Sequence, residues 1–171
     1  ADHEGVILQV VYEPVADGRL AGYADRNGNR IYWFEYDAND LISAVSDAEG
    51  RRVEYRYNHG FLARAADATG RETVYGYDDR CRLKRVVDPS NKTMNLTYSR
   101  SDKVTSVLDG NGNGVSFEYG YESLRKEFHT KIKTTGGLVK ELWFDKDGKT
   151  RRIDMNGETV NFEIDIVKDG E

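Results

Sequence analysis

The sequence is poor in several things, and each absence closes a door. Of its 171 residues only two are proline, Pro14 and Pro89, and only one is cysteine, Cys81. A single thiol excludes an intrachain disulfide, so cysteine usage does not tie the chain to an oxidising compartment. With no Pro-rich, Gly/Ser-rich or low-complexity tract to act as a linker, one domain is expected. The formal net charge is −5, and no basic run offers a footprint for nucleic acid or for an anionic membrane surface. No apolar stretch is long enough to cross a bilayer as a helix. Ala1 to Gly5 lacks the basic start and apolar middle of a signal peptide. The last repeat stops soon after Ile164-Asp165, and the chain is therefore expected to be an excerpt of a longer protein. A helical stripe of useful length is also missing; Ser123 to His129 comes nearest and is too short.

What the chain does have is tyrosine, 11 residues, and glycine, 17 residues. The first favours strands and the second favours turns. They recur in a rhythm. Turn starts at Asp25, Asp47, Asp67, Asp88, Asp109 and Asp154, with Lys133 filling the gap, are separated by steps of 22, 20, 21, 21, 24 and 21 residues. Three residues past each start stand Gly28, Gly50, Gly70, Asn91, Gly112, Gly136 and Gly157. A fixed period of this kind marks stacked copies of one supersecondary unit.

One copy shows the unit. Asp67-Ala-Thr-Gly70 reads as a turn, residues 72 to 77 as a first strand, Asp78 to Arg80 as a second turn, and residues 83 to 87 as a shorter second strand. The first strands alternate. One face carries Tyr32, Phe34 and Tyr36, then Val53, Tyr55 and Tyr57, then Thr73, Tyr75 and Tyr77, and continues through Met94, Leu96 and Tyr98 to Val115, Phe117 and Tyr119. The other carries Glu54, Arg56, Glu72, Asn95 and Glu118. Period two with one apolar face predicts an antiparallel sheet covered on one side. The second strands alternate less cleanly, and their facing stays open. The expected fold is all-β: a repetitive hairpin ribbon of about seven ~21-residue repeats with two strands each, twisted or curled, with one aromatic face. Residues 1–17 are expected to form an N-terminal strand or partial repeat, with Val6 to Tyr12 as the strand and Pro14 ending it. Residues 18–171 form the repeat domain, with an irregular insertion near 120–131 or a longer hairpin there.

These residues resemble the RHS/YD-repeat family, whose units carry a Tyr-Asp dipeptide, then Gly-Arg-Leu, then Asp-Xaa-Xaa-Gly. Tyr36-Asp37, Tyr77-Asp78 and, with Phe for Tyr, Phe144-Asp145 keep the dipeptide. Tyr57-Asn58 is near it, and Tyr98-Ser99 and Tyr119-Gly120 depart. Arg82-Leu83 keeps Arg-Leu, with Cys81 in the usual place of Gly. The match runs over about residues 18 to 165. The resemblance implies a structural module of a large secreted or cell-surface protein, part of a β-shell that encases or displays a toxin or effector domain. Bacterial polymorphic toxins, insecticidal toxin complexes and animal teneurins carry such repeats. The implied partners are other repeats or a C-terminal toxin domain of the parent. Exposed strand edges would also allow self-association.

Candidate chemistry is thin, and no catalytic, cofactor-binding or metal-binding residue is assigned. The aspartates are read as turn caps rather than as general acids. His3, His59 and His129 have no nucleophile to pair with. Cys81, although flanked by Arg80 and Arg82, is read as a turn residue. Asp109-Gly-Asn111-Gly-Asn113-Gly114 opens like a calcium loop, but position twelve is Gly120 rather than Glu, and Asp25-Arg-Asn27-Gly-Asn29 repeats the same turn. Trp33 and Trp143 fall on the polar face, where they pack against a neighbouring element or, as the alternative, serve a binding module as platforms for a glycan or a cell-surface partner. An enzyme ranks last.

Overall fold

A computed structural model describes residues 8–14 and 18–162 of the chain. Among these residues every regular element is a strand, as the alternation and the scarcity of helical patterning require. They fall into two compact units, one reaching to Cys81 and including Val86–Asn91, the other formed by Arg82–Arg85 and the residues from Lys92 onward. The first unit holds β1 (Gln9–Tyr12), β2 (Leu20–Ala24), β3 (Arg30–Tyr36), β4 (Ile42–Asp47), β5 (Arg52–Asn58), β6 (Phe61–Ala66) and β7 (Glu72–Tyr77). The strand β8 (Leu83–Val87) has residues in both units. The second holds β9 (Thr93–Tyr98), β10 (Val104–Asp109), β11 (Gly114–Glu122), β12 (Glu127–Thr134), β13 (Val139–Phe144), β14 (Thr150–Met155) and β15 (Glu158–Asn161). In each unit the order of strands is the order of the chain, and the recorded pairs are antiparallel. This is the hairpin meander that a 21-residue rhythm with two turns per period predicts.

The register confirms the aromatic face. Phe34 lies opposite Val45, which lies opposite Val53. Tyr55 lies opposite Ala65, which lies opposite Thr73. In the second unit Leu96, Val107 and Val115 form a row, and so do Thr130, Leu142, Ile153 and Val160. The register also explains why the second strands read poorly. In hairpin after hairpin one residue just past the turn is unpaired: Ser43 on β4, Ala63 on β6, Thr105 on β10 and Arg151 on β14. A bulge inserts one residue against none, so the side-chain alternation slips by one within the strand. A strict period-two search fails on such a strand even though its far end is in phase.

Both turns of the unit are built alike. In the Asp-Xaa-Xaa-Gly turn the glycine N–H donates to the aspartate C=O at 2.8–3.1 Å, as at Gly70 to Asp67 and Gly50 to Asp47. The aspartate N–H then donates to the residue after the glycine, Asp67 to Arg71 at 2.9 Å. The second turn repeats the pattern with a different left-handed residue, Asp40 after Asp37 and Asp102 after Ser99. The left-handed position is filled by Gly28, Gly50 and Gly70 in some copies and by Asp40, Cys81, Asn91 or Asp102 in others.

Two expectations need correcting. The copy with Lys133 in the aspartate position is displaced by one residue: Thr134 starts the turn, its Oγ accepting from Leu138 N–H at 3.1 Å, and Gly137, not Gly136, takes φ 90°. Threonine supplies the same local acceptor as aspartate, so the shift costs the turn nothing. Asp154 does not begin a turn at all. It lies within β14, and the chain reverses at Asn156-Gly157, with φ 53° and 94° and Met155 paired to Glu158, the two-residue loop that Asn-Gly favours. Of the two readings of residues 120–131, the pairing from Val115–Thr134 through to Glu122–Glu127 is that of the longer hairpin. Within 1–17, β1 supplies a strand ended before Pro14, while Val6 and Ile7 lie outside the described residues.

Within each unit no second layer covers the aromatic rows among the described residues, where the buried residues are Ala21, Gly22, Ala24 and Ala44. Side chains cover one another sideways instead. Tyr23 meets Phe34 edge-on at 5.9 Å, and Phe61 meets Tyr77 at 5.2 Å. Such ring pairs contribute about 0.5–1.5 kcal/mol each beyond area burial.

The Gly70→Val substitution tests the turn directly. A Cβ at Gly70 meets nothing within 4 Å, so any cost comes from its φ of 80°. A loss of about 1–2 kcal/mol in urea unfolding is expected. Asn91→Gly at the equivalent position, φ 62°, should be neutral or stabilising.

Candidate functional surface

In five copies a tyrosine of the first strand does more than face the aromatic side. Its hydroxyl donates to a backbone carbonyl of the preceding hairpin: Tyr36 to Leu20 at 2.6 Å, Tyr57 to Ile42 at 2.8 Å, Tyr77 to Leu62 at 2.9 Å, Tyr98 to Leu83 at 2.6 Å and Tyr119 to Val104 at 2.7 Å. The separation is 16 residues for the first pair and 15 for the rest. The accepting residue always stands two after a left-handed one: Gly18, Asp40, Gly60, Cys81 and Asp102. The chain has just turned there and is about to bulge, so a carbonyl is turned away from the strand ladder and needs a donor. Burial, together with the nearby Asp37 charge, pushes the Tyr57 phenol up.

The residue between the left-handed position and the acceptor covers the same ring. Arg19 lies over Tyr36 at 4.9 Å, Arg82 over Tyr98 at 4.5 Å and Lys103 over Tyr119 at 4.9 Å, while Phe61 fills the place beside Tyr77. Arg82 then reaches Asp102 at 2.7 Å, and Arg19 pairs with Asp40 in the same way. Gly-Arg-Leu is thus a receptor: glycine for the left-handed turn, arginine for the ring, and the leucine carbonyl for the hydroxyl. Any left-handed residue keeps this geometry, which is how Cys81 stands where glycine is usual.

The residue after the tyrosine decides the next turn. Asp37 accepts from Asn39 N–H at 2.8 Å and Leu41 N–H at 3.1 Å, and Asp145 accepts from Asp147 and Lys149 N–H at 2.9 Å each. Ser99 replaces aspartate and holds Lys103 N–H at 3.2 Å. Asn58 is followed by the two-residue turn at His59-Gly60. Gly120 caps nothing, and β11 continues straight through it. Serine therefore keeps the turn, whereas asparagine and glycine at this position change it.

The carboxylates at the Asp-Xaa-Xaa-Gly turns are engaged in the same way. Asp109, the head of the calcium-like stretch, accepts from Asn111 and Asn113 N–H at 2.8 Å each. Asp25 treats Asn27 and Asn29 alike. No group of three or more metal-ligating side chains gathers among the described residues.

On the polar face the sequence reading left Trp33 and Trp143 between packing and display. Both rings are occupied. Arg30 lies over Trp33 at 3.6 Å and Arg152 over Trp143 at 4.2 Å, and the His129 imidazole stacks on Trp143 at 5.4 Å. The small residues Gly22 and Gly120 make room, since a Cβ at Gly22 would come within 2.8 Å of the Trp33 ring and one at Gly120 within 2.8 Å of His129 Nδ1. His129 Nε2 lies 3.3 Å from Glu141, which also pairs with Lys131. Sequence reasoning missed this cluster, because its members lie on β12, β13 and β14 and meet only through the registers of those three strands. His3 lies outside the described residues.

Such a surface, with hydroxyl locks, capped turns and ion-paired polar residues, is the chemistry of a wall. The Teneurin YD-shell family profile matches residues 1–168. The chain belongs to that family. Teneurin-m of Drosophila melanogaster is 25% identical over 173 residues, covering 87% of this chain and 6% of that protein. Probable deoxyribonuclease RhsA of Dickeya dadantii is 30% identical over 191 residues, covering 85% of this chain and 13% of that protein. The chain thus spans a small part of the relatives it matches. Among solved structures, the Photorhabdus luminescens Tc holotoxin pore gives a TM-score of 0.62 at 15% identity over 90% of this chain and 9% of that one. TcdB2-TccC3 gives 0.54 at 17% identity over 91% and 11%. At such identities the likeness concerns the fold. The chain is a structural YD-shell module with RHS-type repeats.

Removing one hydroxyl tests the lock. Tyr57→Phe keeps the ring and strands the Ile42 carbonyl, and a loss of about 1 kcal/mol in denaturant unfolding is expected. The aspartates give a pH signature. Asp25 is held below the usual carboxylate range by the Asn29 side chain, Asp67 by the Thr69 hydroxyl and Arg71, Asp109 by the Asn113 N–H, and Asp145 by the Lys149 N–H. A depressed folded-state pKa gives stability that is complete above the unfolded value, about 4, and lost as pH falls through the folded value. The melting temperature should therefore hold from neutral pH to about pH 5 and fall below about pH 4. Asp67→Asn should flatten the acid limb.

Proposed function

We propose that the chain is one stretch of a longer shell wall, secreted or held at a cell surface, whose work is to enclose or display a cargo domain of its parent protein. The supporting observation is the tyrosine-to-carbonyl lock. In five copies it joins a hairpin to the one before, and it leaves apolar side chains half-exposed, Tyr32, Met94, Tyr119 and Phe128 among them, with no covering layer among the described residues. A sheet of this kind completes its burial against more of the same protein or against what the protein holds. The partners it implies are further repeats and a cargo segment. Its role is mechanical and not enzymatic; the deoxyribonuclease in the name of the Dickeya relative belongs to that protein, of which this chain covers 13%. Among the described residues no helix is long and apolar enough to cross a membrane, and the reading needs none.

Limited proteolysis of the parent protein tests the proposal. The segment beyond the repeats should survive digestion in the intact protein and be cut when expressed alone. Equal digestion of both would reject an enclosing role.

A further inference from the structure

The longest hairpin among the described residues ends in a feature the repeats do not account for. The β11–β12 pair runs on to Tyr121–Phe128 and Glu122–Glu127, whereas β13 pairs with β12 only as far as Phe128–Phe144. The last pair and the tip, Ser123 to Lys126, therefore stand clear of the neighbouring strand. Tyr121 and Phe128 form a ring pair at 5.0 Å with about half of each side chain in solvent, and Leu124 at the tip is 96% exposed. Together with Arg125, Lys126, Asp145 and Lys146 the two rings line one open hollow between this tip and the β13–β14 turn.

The charges around the hollow do not cancel. Its one acid, Asp145, has both oxygens engaged: Oδ1 accepts the Asp147 and Lys149 N–H groups, and Oδ2 accepts from Arg151 at 2.6 Å. The acids at the neck of the hairpin are drawn the other way. Arg152, only 16% exposed, holds Glu122 at 2.8 Å and Glu127 at 3.3 Å on the opposite face. No ion pair of Lys126 or Lys146 occurs among the described residues, and Arg125 stands at 3.9 Å from Glu122. A chain of net charge −5 thus carries three cations around two exposed rings, Arg125 and Lys126 on the tip and Lys146 on the facing turn. The Arg152 clamp fixes the neck, so a partner meets a hollow that is already formed.

We propose that this hollow is a docking site for an acidic peptide segment that inserts an apolar or aromatic side chain between Tyr121 and Phe128 while its carboxylates meet Arg125, Lys126 and Lys146. Charge complementarity selects the acid. The recess between two turns suits one side chain rather than a flat lipid surface, and offers too few cations for stable adsorption to a membrane.

Fluorescence anisotropy with a labelled peptide Glu-Asp-Phe-Asp-Glu tests the site. Binding should weaken about tenfold when serine replaces the phenylalanine, and by a similar factor in a Lys126→Glu/Lys146→Glu variant, and it should fall as salt rises. Both lysines are exposed turn residues, and circular dichroism of the variant should match the parent chain. A peptide that binds the variant equally well, or that does not bind at all, overturns the proposal. So does a chain that instead sediments with vesicles of equal parts phosphatidylcholine and phosphatidylserine through the same lysines.

Discussion

The structure depends on one short contact, a phenolic hydroxyl donating to a carbonyl turned out of its own strand ladder. The carbonyl arises because the hairpin turns through a left-handed residue and then bulges. The hydroxyl arrives because the next first strand carries a tyrosine 15 residues later in four of the five cases, from Tyr57 with Ile42 to Tyr119 with Val104. A sheet with almost no fully buried side chain needs such a device. Ring contacts alone are non-directional and would allow neighbouring hairpins to slide, whereas a hydrogen bond to one carbonyl fixes their register.

Around that contact the family dipeptide acquires a physical meaning. Tyrosine binds backward to the hairpin already made, and aspartate shapes the turn about to be made. The second position sets the turn: serine keeps the aspartate cap, asparagine gives way to a two-residue loop at His59-Gly60, and glycine at 120 lets the strand run on. Arg19 and Arg82 cover the phenol and reach the left-handed aspartate of the following unit, so that a single Gly-Arg-Leu stretch serves two successive hairpins.

Much of this was legible in the residues. The period, the strand class and the aromatic face follow from Tyr36, Tyr57, Tyr77, Tyr98 and Tyr119 standing at even spacing. The facing of β4, β6 and β10 was not legible, because Ser43, Ala63 and Thr105 each slip the alternation by one. The Lys133 position misled because threonine caps a turn as well as aspartate does, and Thr134 stands one residue on. Residues 120–131 read as either an insertion or a longer hairpin because the glycine that usually signals a turn here sits opposite His129 in a strand. The polar-face cluster of His129, Trp143 and Arg152 needed a register between three strands before its members could be recognised as neighbours. The acceptor carbonyls carry no side-chain signature at all; only the constant distance back from each tyrosine betrays them.

That constant distance also governs how such a chain can change over time. Because every phenol looks to its immediate predecessor and to nothing farther away, a whole copy can be duplicated or lost in the gene without stranding a donor or an acceptor elsewhere. The ribbon can therefore lengthen or shorten in single steps, with no redesign of the units that remain.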